Sequence, residues 1–138
     1  MTQEDKDLLL KDLCGRVPYR VKCKYDDRLI VNTLSVDFFW EKIEGYERYV
    51  NCTRKYDIEN IKPYLFPLSS MNEEQKKTLK VMCDWNDEEA DAQSILVLYQ
   101  KHFVMKSDVI DWLHKNHFDY KGLIEKGLAI DATRLNIY

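Results

Sequence analysis

The apolar positions fall into a succession of short patterns. Leu9, Leu10, Leu13 and Cys14 recur at helical spacing behind Thr2 and Asp5, which stand in capping-box relation with Asp in place of Glu. Gly15 and Pro18 follow as a stop signal, so the pattern predicts a helix over 3–14. Arg20-Val21-Lys22-Cys23-Lys24-Tyr25 then alternates strictly between basic and apolar, as a half-buried strand with one wet, basic face does. Asp26-Asp27 reads as a turn and Leu29 to Leu34 as the return strand. Val36, Phe38, Phe39, Trp40 and Ile43 form the next apolar cluster, Gly45 interrupts it, and Tyr46 to Thr53 reads as a further strand. Consecutive Phe38-Phe39-Trp40 breaks the period of two and predicts a bulge or a strand covered on both faces. Together these segments predict a small, curved meander of about four antiparallel strands.

The second half is less regular. Asp57 to Ile61 suits a short helical turn. Lys62 to Leu68 carries Pro63 and Pro67 and predicts a rigid extended connector, because each proline fixes its backbone and removes a donor. Asn72 and Gln75 cap a helix over 73–83 with Leu79, Met82 and Cys83 on its apolar face. The acid-rich stretch predicts a solvated loop over about 84–93. Residues 94–100 have an apolar centre without helical period; a buried strand is the favoured reading, a helix the alternative. Ser107 caps a helix over 108–116 that buries Val109, Ile110, Trp112 and Leu113. Gly122 and Gly127 bracket one or two helical turns, and 132–138 reads as a tail.

Length and composition set bounds. The chain has 138 residues, room for one domain, and no repeat or linker divides it. The fold expectation is α+β: an N-terminal helix, the antiparallel sheet, and later helices packed on one face. The longest purely apolar run is the five residues Ile95 to Tyr99, far short of the roughly 20 that span a bilayer, so no membrane partner is expected. The opening Met-Thr-Gln-Glu-Asp-Lys has neither a basic start nor an apolar stretch; a cytoplasmic location is the expectation. Cys14, Cys23, Cys52 and Cys83 form no C-x-x-C pair, and the alternation and helix pattern make Cys14 and Cys23 small buried hydrophobes.

Three segments carry a resemblance. They are Leu9-Leu10-Lys11-Asp12-Leu13-Cys14-Gly15-Arg16-Val17-Pro18-Tyr19, Lys62-Pro63-Tyr64-Leu65-Phe66-Pro67-Leu68-Ser69-Ser70-Met71, and His117-Phe118-Asp119-Tyr120-Lys121-Gly122-Leu123-Ile124-Glu125-Lys126-Gly127-Leu128-Ala129, together 34 of 138 residues. They resemble a family of small uncharacterised proteins of gut Bacteroides-type bacteria, their prophages and mobile elements. The resemblance implies a bacterial or phage context and no particular reaction. Members of that family often carry Arg where this chain has Phe66 and Lys121, and a Pro-Glu-Gly-containing tail where it has Asp131-Ala132-Thr133-Arg134.

Candidate chemistry divides into three classes. The favoured one is a non-enzymatic protein-interaction module that occupies a partner's surface through aromatic anchors ringed by charge: Trp40 with Phe38 and Phe39, and Trp85 within the acids Asp84, Asp87, Glu88, Glu89 and Asp91. The second is nucleic-acid binding through the basic strand face of Arg20, Lys22 and Lys24 with Arg28 beyond the turn. The formal net charge of −3 and the absence of an RNA-recognition signature oppose it. The third is a small metal-dependent enzyme. Asp111, His114 and His117 recur three apart, sharing a face if the helix reaches that far, with Asp119 or His102 as further ligands to zinc or manganese. The stronger reading is structural: His117 follows Asn116 at a helix end, where a histidine suits the dipole and the exposed carbonyls, and His114 faces solvent. No nucleophile elbow, Walker loop or dinucleotide fingerprint is present, and no cofactor is expected.

Overall fold

The computed structural model describes residues 1–25, 31–33, 58–85, 90–102 and 105–138. Helix α1 (Gln3–Arg16) opens with the capping box, Thr2 accepting from the Asp5 amide and Asp5 from that of Thr2. Such a cap stabilises a helix by about 1 kcal/mol. The helix runs through Gly15 rather than stopping there. That glycine serves a close approach: a Cβ on it would lie 2.6 Å from Cε1 of His114. Chain direction changes only at the 3-10 turn Val17–Tyr19, with Pro18 in it, and at Arg20, whose φ of 58° is left-handed.

Strand β1 (Lys22–Tyr25) pairs antiparallel with β2 (Val31–Thr33) and with β3 (Ile61–Pro67), which the 3-10 turn Ile58–Asn60 precedes. The stretch read as a connector is thus an inner strand of the sheet. Two further strands, β4 (Phe118–Asp119) and β5 (Ile130–Asp131), pair parallel with β3. The sheet is mixed, which corrects the antiparallel meander; parallel pairing requires a long crossover, and three helices supply it between β3 and β4. Both prolines fit for one reason. The Leu65 carbonyl accepts from Ala132 on the β5 side while the Phe66 amide donates to His117 on the β4 side. These two groups belong to one trans peptide and point to opposite edges. Pro63 and Pro67 share the parity of Leu65, so their missing donors face the edge where β5 opposes only Tyr64 and Leu65.

After β3, a 3-10 turn (Leu68–Ser70) leads to α2 (Glu73–Met82), capped by Asn72 and Gln75. Helix α3 (Ala92–His102) replaces the strand favoured for 94–100 and takes over the last two residues of the predicted loop. Its buried positions Ala92, Ile95, Leu96 and Tyr99 follow helical spacing, and Val97 and Leu98, which fill out the apolar run, are exposed. Helix α4 (Ser107–Lys115) follows, and Val109 and Leu113 are its fully buried apolar residues. Residues 122–127 form turns, and 132–138 pack back against the sheet instead of trailing as a tail.

The α+β expectation holds, with the N-terminal helix before the sheet and the other helices after it. Apolar side chains gather in two clusters. One joins α1 to the sheet through Leu9, Leu13, Val21, Cys23, Ile61 and Leu65. The other joins α2, α3 and α4 to the far end of β3 through Leu68, Leu79, Ile95, Leu113 and Phe118. β3 passes from one to the other. Among the described residues no helix is long and apolar enough to cross a membrane. The turn at Asp26-Asp27, the Phe38–Trp40 bulge and the strand at 46–53 lie outside the described residues.

Gly15→Ala is a test of the α1–α4 approach. In an open helix the change gains roughly 0.5–1 kcal/mol. Here the clash with His114 reverses the sign, and urea denaturation should show a loss of about 1–3 kcal/mol. In a His114→Ala background the same change should turn neutral or stabilising.

Candidate functional site

The most unusual chemistry lies at the seam between the two clusters. Positions 9, 12, 13 and 16 share one face of α1, and that face is wholly buried, so Asp12 and Arg16 are carried inside with Leu9 and Leu13. Arg16 Nε donates to Asp12 Oδ2 at 2.6 Å, and Arg16 Nη2 donates to the Phe118 carbonyl at 2.7 Å. Lys121 Nζ stands 3.7 Å from Asp12 Oδ1. The Tyr120 ring is within cation–π range of both Arg16, 5.7 Å from its centroid, and Lys121, at 5.5 Å.

His114 adjoins this group. Its Nε2 shares a 2.9 Å hydrogen bond with the Tyr120 hydroxyl. Burial, then the Arg16 charge, holds the imidazole down at about 4, and burial, then Asp12, pushes Tyr120 up to about 12. Both are therefore neutral near pH 7. His117 sits two residues past the end of α4 at a φ of 61°. It too is held at about 4, by burial and by the Arg16 and Lys22 charges, and its ring stacks on Tyr138 at 3.7 Å.

The parallel strands end together. Asp119, closing β4, accepts from the Leu123 and Ile124 amides at 2.9 and 2.8 Å. Asp131, closing β5, accepts from the Thr133 amide at 2.9 Å. Asp91, before α3, accepts from the Ser94 amide at 2.7 Å, which keeps its carboxyl below the usual range. Each carboxylate is tied to backbone N–H groups of the turn or helix it introduces. Outside these strand ends lies a cleft of about 780 Å³, with Ser69, Lys76, Gln93, Tyr120, Lys121 and Lys126 on its walls. Through Pro67 and Ser69 it adjoins a depression of about 480 Å³ beside Thr133 and Arg134. Through Ser70 and Thr133 that one adjoins a third, of about 420 Å³, bounded by Phe66, Gln75, His117 and Tyr138. The three line one groove around the Leu68–Ser70 turn. Ligands of open sheets bind outside the carboxyl ends of parallel strands, and here β3 is flanked on both edges by parallel neighbours.

The residues singled out from sequence are dispersed. Trp40, Phe38, Phe39 and Arg28 lie outside the described residues, as do Asp87, Glu88 and Glu89. Trp85 packs half-buried against the helical cluster with its indole nitrogen inside. Lys22 and Lys24 are half-exposed on β1, but the Lys22 ammonium is held by the Ile137 carbonyl at 2.7 Å and covers the Tyr138 ring. Arg20 precedes the strand and is exposed. Asp111 is exposed and hydrogen-bonds Tyr19, whose phenol is pushed up by desolvation and by that carboxylate. His114 turns to Tyr120 and His117 to Tyr138, so the structure does not bring Asp111, His114 and His117 together. Asp119 is spent on backbone, and the His102 side chain lies outside the described set. Among the described residues no three His, Cys, Asp or Glu side chains are placed to hold a metal ion. Cys23 and Cys83 are buried and Cys14 half-buried, and burial pushes all three thiols up.

Sequence reasoning missed Asp12, Arg16, Tyr120 and Tyr138. The first two carried a signal: a charge pair four apart on the same helical stripe as Leu9 and Leu13. The last two carried none, because their partners are 116 residues away for Lys22 and Tyr138, and across a turn for Tyr120.

No family model matches the chain, and neither a curated protein nor a solved structure shows significant similarity to it.

Breaking the ion pair from one side should be costly. Arg16→Met leaves a buried carboxylate and should lose about 3–5 kcal/mol in urea denaturation, whereas Asp12→Leu combined with Arg16→Met should recover most of that loss. A double variant as unstable as the single one would contradict the pairing. The two histidines add a pH dependence. Their folded values, about 4, lie below the ordinary 6.5, so the unfolded chain takes up their protons first. Their contribution is complete above about pH 6.5 and is lost as pH falls towards 4. His114→Gln with His117→Gln should therefore flatten the decline of the urea midpoint between pH 6.5 and 4; parallel profiles would refute it.

Proposed function

We propose that this protein is a non-enzymatic interaction module that takes an extended segment of a partner protein into the groove at the strand ends. The observation that carries this reading is the run of three adjoining depressions around Leu68–Ser70, the first two outside the carboxyl ends of β3, β4 and β5 and the third beside the entry into β4. A run of that shape suits an extended chain better than a compact ligand. Its walls mix both charges with hydroxyls: Lys76, Lys121 and Lys126 face Asp91, Asp119 and Glu125 in the cleft, and Ser69, Ser70 and Thr133 line the passage beyond. Balanced polar walls recognise a peptide backbone and its side chains, whereas a nucleic-acid groove needs a dominant positive field. Three carboxylates on the groove's walls are turned to other uses, Asp91, Asp119 and Asp131 each accepting from backbone amides. The reading rests on the strand ends and not on Trp40, which lies outside the described residues, or on Trp85, which packs against the helical cluster. If the resemblance of the three segments holds, such a partner would belong to a bacterial cell or its phage.

Selection from a displayed library of random linear peptides tests the reading. Enriched peptides should bind the native chain and lose at least about tenfold in affinity to Ser69→Trp, a bulky change at an exposed position where two of the depressions meet. Failure to enrich any peptide, or binding indifferent to Ser69→Trp, would sink it.

A further inference from the structure

One end of the groove is bounded by a site that is already filled. β1 and β3 are paired as far as Cys23 and Pro63. One step further along that register, the Lys22 amide faces the Tyr64 carbonyl, and the two would bond if the ladder continued. They do not meet. The Tyr138 hydroxyl stands between them, accepting from the Lys22 amide at 2.8 Å and donating to the Tyr64 carbonyl at 2.9 Å. Beyond it, β4 takes over the same edge of β3 at Phe66.

The ring is recognised as closely as the hydroxyl. The His117 imidazole lies nearly parallel to it, 3.7 Å away at 15°. The Phe66 ring is tilted against it at 5.8 Å, and the Lys22 ammonium lies 5.7 Å from its centroid. Only a flat ring bearing a group that both donates and accepts satisfies every contact. A phenol does so; a plain arene leaves an amide and a carbonyl unpaired, and a carboxylate has no proton for Tyr64.

We infer that the slot between the Lys22 amide, the Tyr64 carbonyl and the His117 ring is a phenol-binding site, filled in cis by Tyr138 and open in trans to another phenolic ring. Tyr138 is a replaceable occupant. It is 39 % exposed, so the slot opens to solvent without parting either core. The chain that delivers it, from Thr133 to Asn136, is exposed, with Asn136 left-handed at a φ of 49°. Its other ties here are the bond from Lys22 Nζ to the Ile137 carbonyl, the turn bond from Leu135 to Ala132, and, at its start, the Thr133 amide and hydroxyl donating to Asp131. The inference does not rest on the peptide reading, since a small phenol tests it directly.

The experiment is thermal denaturation of Tyr138→Ala with p-cresol, N-acetyl-tyrosinamide and toluene. The vacated slot should lower the midpoint by several degrees, and p-cresol and N-acetyl-tyrosinamide should restore it saturably. Toluene, without the hydroxyl, should bind about tenfold more weakly or worse. Tighter binding of N-acetyl-tyrosinamide marks a tyrosine of another chain as the natural occupant, and tighter p-cresol marks a free phenol. If Tyr138→Ala does not fold, the native chain labelled with 3-fluorotyrosine serves instead: excess p-cresol should move the Tyr138 fluorine resonance to its solvent position. No saturable response, or toluene matching p-cresol, would overturn the site whatever the peptide selection shows.

Discussion

Asp12 and Arg16 are fully buried, and the rest of the molecule is arranged so that neither charge stands alone. Taking an ion into a protein interior costs several kcal/mol, which only close geometry and further hydrogen bonds offset. The partners come from far along the chain: the Phe118 carbonyl at the start of β4, and Lys121 and the Tyr120 ring just after it. The bond from Arg16 to the Phe118 carbonyl ties the start of β4 to α1. It also brings α4, which leads into β4, against the same helix at the Gly15–His114 contact. The two apolar clusters are individually modest. The ion pair lies at their seam, on the α1 face that carries Leu9 and Leu13, and its guanidinium reaches the Phe118 carbonyl of the other cluster.

That seam also explains the groove. Once β4 is fixed on one edge of β3, β5 takes the other, and the three strands end side by side with Asp119 and Asp131 at two of the ends. Each carboxylate introduces the next turn by accepting its amides. The local chemistry that ends a strand thus also forms the wall of a recess.

Much of this was legible where the causes are local. The two capping boxes marked α1 and α2, and the strict basic–apolar alternation marked β1. The sequence misled where local pattern and tertiary cause diverge. Val97 and Leu98 made 94–100 look uniformly apolar, yet both are exposed on α3. Gly15 read as a terminator and proved to be a point of contact. Lys62 to Leu68 read as extended, correctly, but its inner place in the sheet depended on partners that arrive more than 50 residues later. The candidate site was least legible of all, since Tyr120, Tyr138 and the strand-end carboxylates acquire meaning only through those pairings.

The parity of Pro63 and Pro67 has a further consequence. An unprotected sheet edge is a template on which a foreign strand can grow, and such growth leads to aggregation. Along the β5 side of β3 the ladder lacks a donor at two alternate positions, and Leu65 alone between them retains one. A stranger's strand could register there for only a residue or two before losing its bonds. The inner strand of this sheet thus carries its own gatekeepers, placed on the flank where β5 opposes only Tyr64 and Leu65.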